Sequence, residues 1–123
     1  MVESIQANKP KFSLIIPTYN NRAFLIQCLN SLDNQSIDKK IFEVIVVDDG
    51  GRSDISENLG LMGSQLFIKY LYQKHKGPAA ARNLGIEKAK GDIILFLDDD
   101  SLPTDDWLKA TIEAWEKFPI LTV

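Results

Sequence analysis

The chain has one cysteine, one histidine and no basic excess, with 14 Lys and Arg against 17 Asp and Glu over 123 residues. A lone cysteine excludes an internal disulfide and a cysteine metal cluster. Cys28 lies among Leu25, Leu29 and Leu32, the setting of a packed core thiol. The net charge of −3 argues against a nucleic-acid partner, which would need clustered Lys and Arg. No apolar run approaches the ~20 residues of a membrane-spanning helix. Residues 1–11 are polar and lack the apolar centre of a signal peptide, so they read as a flexible leader on a cytoplasmic chain. Repeats and low-complexity tracts are also missing. What remains is 45% hydrophobic and 25% charged, the composition of one globular domain or part of a larger one.

Apolar runs alternate with helical patterns, as in βαβ units around a parallel sheet. The first strand is expected over residues 12–16, ended by Pro17, which has no N–H for a ladder. Thr18-Tyr19-Asn20-Asn21 forms the loop after it. A helix over 22–32 puts Leu25, Cys28, Leu29 and Leu32 on one face. The second strand, 42–47, is apolar on both faces, as a central parallel strand is. Ser53 or Asp54 starts a short helix that Gly60 and Gly63 interrupt. A third strand covers 67–72. Pro78 opens a helix that runs through Lys90 and stops at Gly91, and Ala79, Ala80, Ala81 and Gly85 let it lie close to the sheet. The fourth strand is 92–97. Thr104 caps a last helix with Asp105 and Asp106 in its first turn, burying Trp107, Leu108, Thr111, Ala114, Trp115 and Phe118. Pro119 ends that helix, and Ile120-Leu121-Thr122-Val123 begins another strand. Right-handed crossovers give the order third, second, first, fourth.

Asp98-Asp99-Asp100 closes the fourth strand. Desolvation and mutual repulsion both push protons onto carboxylates held this way. A hard divalent cation relieves the conflict, because it takes carboxylate oxygens as ligands. Asp48-Asp49 closes the second strand, before Gly50-Gly51. The competing explanation is that each cluster merely caps a helix. In open parallel sheets, however, ligands sit beyond the carboxyl ends of the strands, where strand order reverses. Three such ends carry Thr18-Tyr19-Asn20, Asp48-Asp49 and Asp98-Asp99-Asp100, which points to one shared site. Capping does not predict that coincidence.

Four segments carry a resemblance. Ile16-Pro17-Thr18-Tyr19-Asn20, Val47-Asp48-Asp49-Gly50, Gly77-Pro78-Ala79-Ala80-Ala81-Arg82-Asn83-Leu84-Gly85 and Phe96-Leu97-Asp98-Asp99-Asp100 occur in this order. Together they resemble the nucleotide-binding half of family 2 glycosyltransferases. The resemblance implies an α/β fold, a Rossmann-like GT-A half-domain whose parallel sheet of about four strands runs 3-2-1-4 with flanking helices. It implies a nucleoside diphosphate sugar as partner, a UDP-sugar first, with Mn²⁺ or Mg²⁺ as cofactor. Thr18 and Tyr19, with Pro17 and Asn20 beside them, would line the nucleobase and ribose pocket. Asp49, or Asp48 next to it, would hydrogen-bond the base, and Arg82 would sit near the diphosphate. Asp98 and Asp99 would face the nucleotide sugar, with Asp98 toward the ribose or metal and Asp100 as the principal metal ligand. The family pattern Asp-Asp-Gly-Ser-x-Asp is broken here by Gly51-Arg52-Ser53-Asp54, so Asp54 receives no nucleotide contact. Arg82 can equally be read as a solvated helix arginine, while His75 and Lys76 read as surface-loop residues.

Sugar transfer breaks the bond between the anomeric carbon and a phosphate oxygen, and a metal across the diphosphate stabilises the leaving charge. Inverting transfer also needs a carboxylate base for the acceptor hydroxyl. The family's base lies well past the Asp-x-Asp motif, so no catalytic base is assigned within the chain and one is expected beyond Val123. Asp105, Asp106, Glu113 and Glu116 read as capping or solvent-facing charges. Residues 12–123 are therefore expected to be a donor-binding part, truncated at the C-terminus and inactive in transfer by itself. Its saccharide, lipid or protein acceptor, and any attachment to the cytoplasmic face of a membrane, would involve regions outside this chain. Self-association through an uncovered apolar edge is a further expectation. Three alternatives stand beside this reading. A phosphoacceptor receiver domain has a comparable acidic pair and strand-end Asp, but its pair comes near the start of the fold. A sugar nucleotidyltransferase would need a Gly-rich basic loop after the first strand. A non-catalytic nucleotide-binding fragment is the third.

Overall fold

A computed structural model describes residues 9–51, 55, 59 and 65–118. Its strands are β1 (Phe12–Thr18), β2 (Phe42–Asp48), β3 (Ile68–Tyr72) and β4 (Ile93–Phe96). Its helices are α1 (Arg22–Asp33), α2 (Pro78–Lys88) and α3 (Trp107–Lys117), with a 3-10 turn at Lys39–Ile41. The strands form a parallel sheet in the order β3-β2-β1-β4, as the crossover argument expects. The leader up to residue 8, the helix start at Ser53 or Asp54, and Pro119 lie outside the described residues. So does the strand expected from Ile120 to Val123, and with it the point beyond which the catalytic base was expected.

Alternation along the central strands builds two apolar layers. Leu14, Ile16, Val44 and Val46 pack in one cluster with Leu25, Cys28, Leu29 and Leu32 of α1. Ile15, Ile45 and Val47 point the other way and cluster with Ala81 of α2. Burying each such Leu, Ile or Val is worth roughly 1.5–3 kcal/mol, so β1 and β2 carry the core. Gly85 explains the close seat of α2. A Cβ there would lie 2.5 Å from Cγ2 of Ile15, inside contact distance.

Some boundaries differ from expectation for identifiable reasons. Pro17 does not end β1, which continues in register with β2 to Thr18 and Asp48. The Thr18 carbonyl accepts from Asp49 N–H, while the Ile15 carbonyl accepts from Leu97 N–H. Pro17, two residues after Ile15, therefore turns its nitrogen toward the β4 side, where pairing has stopped at Ile15 and Phe96. No ladder donor is missed there. Helix α3 starts at Trp107 without a side-chain cap from its own turn. Gln35 does that work from a distance: its Oε1 accepts from Leu108 N–H at 2.9 Å and its Nε2 donates to the Thr104 carbonyl at 2.7 Å. Thr104 instead bonds Asp106. Of the apolar face expected for α3, only Leu108 is fully buried, while Ala114 and Phe118 are exposed. No helix among the described residues is long and apolar enough to cross a membrane.

At the amino end of the sheet a buried carboxylate ties the strands together. Glu43 Oε2 accepts from Ser13 Oγ at 2.6 Å and from Lys90 N–H at 2.7 Å, and Gly91 N–H donates to Ser13 Oγ at 2.8 Å. The turn between α2 and β4 is thereby fastened to β1 and β2. The two acidic clusters singled out from the sequence lie at the opposite end.

Candidate functional site

The carboxyl ends of the strands open onto a cleft of ≈ 400 Å³. Pro17, Thr18, Tyr19 and Asn21 reach it from the end of β1, and Asp49 from the end of β2. His75 and Pro78 come from the start of α2, with Arg82 one turn further on. Asp98, Asp99 and Asp100 complete the wall beyond β4. The shared site inferred from the strand ends is thus present as geometry. Asn20 and Asp48 fall outside its lining. Asn20 takes a left-handed turn, φ 54°, at the bend after β1.

Asp48 is buried, and both its oxygens face inward. Oδ2 accepts from the Tyr70 hydroxyl at 2.7 Å and Oδ1 from Gly51 N–H at 2.9 Å. Burial, then this bond to an anion, holds the Tyr70 phenol well above its ordinary range. Asp49 is more heavily engaged. Its Oδ1 accepts from Gln73 Nε2 and from Lys76 N–H, both at 2.8 Å. Its Oδ2 accepts from Gly77 N–H at 3.0 Å and lies 3.0 Å from His75 Nδ1. Burial alone would raise its pKa, but the bonds from Lys76, Gln73 and Gly77, with His75, outweigh burial and hold it below the ordinary 3.8. Gly50, at φ +90°, lets this loop close. A Cβ on it would lie 2.6 Å from His75 N.

The second cluster is arranged differently. Asp99 Oδ2 accepts from Thr18 Oγ1 at 2.8 Å, and Asn21 Nδ2 stands 3.4 Å from Oδ1. This middle acid latches the loop to the end of β1. Asp98 and Asp100 are exposed, and their carboxylates make no hydrogen bond among the described residues. Beneath them Cys28 Sγ lies 3.8 Å from the Asp98 carbonyl. Burial, followed by the charges of Asp99 and Asp100, pushes its thiol up to about 12, which makes it inert at neutral pH. Arg82 is half-buried, its guanidinium 6.0 Å from the centroid of the Phe96 ring.

The donor set fits a hard divalent cation in one specific way. Among the described residues no three His, Cys, Asp or Glu side chains converge to hold a metal by themselves. Two neighbouring unbonded carboxylates, Asp98 and Asp100, do suit Mg²⁺ or Mn²⁺ when a ligand's phosphates supply further oxygens. Sequence reasoning missed His75 and Asn21 as cleft residues. His75 stacks on Tyr19, with ring centroids 4.2 Å apart and planes at 27°. Its position depends on Asp49, 26 residues away, and its being the chain's one histidine was the available signal.

Comparison with known proteins agrees with this geometry. The profile described as Glycosyl transferase family 2 matches residues 13–122. An uncharacterised glycosyltransferase of Rickettsia conorii is 41% identical over 110 residues, which cover 89% of this chain and 18% of that protein. The crystal structure of Staphylococcus aureus TarS 1–349 in complex with UDP-GlcNAc superposes with a TM-score of 0.79 at 32% identity, covering 87% of this chain and 31% of that one. The mannosyltransferase PcManGT of Pyrobaculum calidifontis, in complex with GDP-Man and Mn²⁺, shares the fold at TM-score 0.79 and 24% identity, covering 87% and 32% of the two chains. The chain spans less than a fifth of the length of the first curated relatives it matches.

Proposed function

The chain belongs to glycosyl transferase family 2, and on that premise we propose that residues 12–123 bind the nucleoside diphosphate sugar donor of a glycosyltransferase, a UDP-sugar first. The observation that carries this reading is the cleft, which gathers Tyr19, Asp49, Arg82, Asp98 and Asp100 from four separate segments at one end of the sheet. The likeness to TarS, a protein solved with UDP-GlcNAc, supports the uridine nucleotide. Tyr19 and its neighbours take the base, and Arg82 offers a cation to the diphosphate. Mn²⁺ or Mg²⁺ would be held by Asp98 and Asp100 and would neutralise charge developing on the departing diphosphate. The amides at the start of α2, whose Pro78 borders the cleft, add a favourable field toward the same anion.

In transfer the bond from the anomeric carbon to phosphate breaks, the acceptor oxygen bonds to that carbon, and the acceptor proton passes to a base. As the family resemblance implies, we propose that this base lies beyond Val123; Asp105, Asp106, Glu113 and Glu116 are exposed and none of them lines the cleft. UDP release by this chain as fast as by a version extended into the acceptor half would overturn that placement. Membership of the family sets aside the receiver-domain and nucleotidyltransferase readings.

Calorimetry with UDP, with and without Mn²⁺, tests the binding site. Binding is expected to tighten with metal, and Asp100→Ala is expected to abolish the tightening while leaving metal-free binding intact. An undiminished Mn²⁺ effect in Asp100→Ala would remove Asp100 from the metal site.

A further inference from the structure

Thr18 is bonded to both acidic clusters. It is buried at the end of the central strand β1, in register with Asp48. Its carbonyl accepts from Asp49 N–H at 2.9 Å, and its hydroxyl donates to Asp99 Oδ2 at 2.8 Å. On the Asp99 side the chain has already left the sheet, since β4 pairs with β1 only as far as Phe96. The turn that follows closes on itself, because Ser101 N–H donates to the Asp98 carbonyl at 3.1 Å. Within it Asp99 is half-buried, while Asp98 and Asp100 on either side are exposed. Of the three carboxylates, the middle one ties the turn to a strand fixed in the sheet, and the outer two stay open.

We propose that Asp99 is a positioning residue for the cation site: through the Thr18 hydroxyl it fixes the turn so that the Asp98 and Asp100 carboxylates are presented together to a divalent cation. The proposal rests on the reading of Asp98 and Asp100 as metal ligands. Two carboxylates on a loose loop would have to be ordered when the cation arrives, and that loss of conformational freedom weakens binding. A turn closed by Ser101 and anchored by Asp99 has given up that freedom on folding. One hydrogen bond is enough for the anchor, because Thr18 is itself held by the β2 ladder. The same residue also sets the spacing of the two clusters. With its carbonyl on Asp49 N–H and its hydroxyl on Asp99, the metal turn stays beside the end of β2 while both bonds hold. Asp99 does this without touching the cation.

The test is calorimetry with UDP, with and without Mn²⁺, on the wild-type chain and on Thr18→Val, Asp99→Asn and Asp99→Ala. The readout is the ratio of the two affinities, which a general loss of nucleotide binding leaves unmoved. Thr18→Val keeps the Asp99 charge but removes the latch, and should cut the ratio about fivefold, the scale of one hydrogen bond. Asp99→Asn removes the charge but keeps an oxygen that accepts from Thr18. It should cut the ratio by no more than about twofold, the effect of one charge screened by solvent and salt. Asp99→Ala loses both and should fall at or below Thr18→Val, and combining the two should lower the ratio no further, because they act through one bond. An undiminished ratio in Thr18→Val, or one as low in Asp99→Asn as in Asp99→Ala, would overturn the positioning role. Absence of any Mn²⁺ effect in the wild type, or an undiminished effect in Asp100→Ala, would overturn the metal-site reading itself, a separate outcome.

Discussion

Asp48-Asp49 and Asp98-Asp99-Asp100 end two strands of one sheet with the same side chain, yet their surroundings are opposite. The first pair is buried, and every oxygen is claimed by Tyr70, Gly51, Gln73, Lys76, Gly77 or His75. In the second cluster only the Asp99 carboxylate is tied down, and the carboxylates of Asp98 and Asp100 project from an exposed turn without a hydrogen bond among the described residues. A carboxylate whose two oxygens each accept from the chain stabilises the segments that supply the donors. One with no such bond is available to a ligand. The lesson is that acidity at a strand end marks a place, and the number of internal donors decides between scaffold and site.

The sharpest way to break this contrast is Asp49→Ala. It strands two backbone N–H groups and the Gln73 amide, and is expected to cost about 2–4 kcal/mol in urea unfolding. A loss under about 0.5 kcal/mol would put Asp49 in the same class as Asp100. The pH dependence carries the same sign. Asp49 ionises below its ordinary 3.8 in the folded state, so its stabilisation is present above that pH and is lost as pH falls through the lower folded value. Asp49→Asn should therefore flatten part of the acid limb below about pH 4 while leaving the neutral plateau's slope unchanged.

Next in size is the latch. Thr18→Val removes the donor to Asp99 Oδ2 and should cost about 1 kcal/mol of stability. It should also weaken the Mn²⁺-dependent part of UDP binding, because Asp98 and Asp100 flank the residue it frees. Unaltered metal dependence would mean that the turn holds its shape without the latch. Smallest of all should be the effect of Asp98→Ala and Asp100→Ala on unfolding, within about 0.5 kcal/mol, as for exposed side chains with no partner. A clear destabilisation by either would show that the open cluster has a structural load after all.

The sequence was a good guide to the parallel sheet, because period and composition are local: Val44 to Val47 read as a buried strand wherever they sit, and short right-handed crossovers leave few strand orders. It was a poorer guide to ends. Pro17 stays in β1 only because β4 has already stopped beside it, and Gln35 caps α3 from 73 residues away. Neither fact has a local signature.

For the site the division is similar. By itself the sequence determined that acids, Thr18 and Tyr19 would meet at one end of the sheet, since strand direction and order follow from local pattern and chain connectivity. Tertiary structure alone decided which of those acids are spent. It turned Asp48 toward Tyr70, closed the loop from Gln73 to Gly77 around Asp49, laid His75 on Tyr19, and left Asp98 and Asp100 open. The physical reason is that a carboxylate's availability depends on which donors come within about 3 Å of it, and those donors come from segments that only folding brings together.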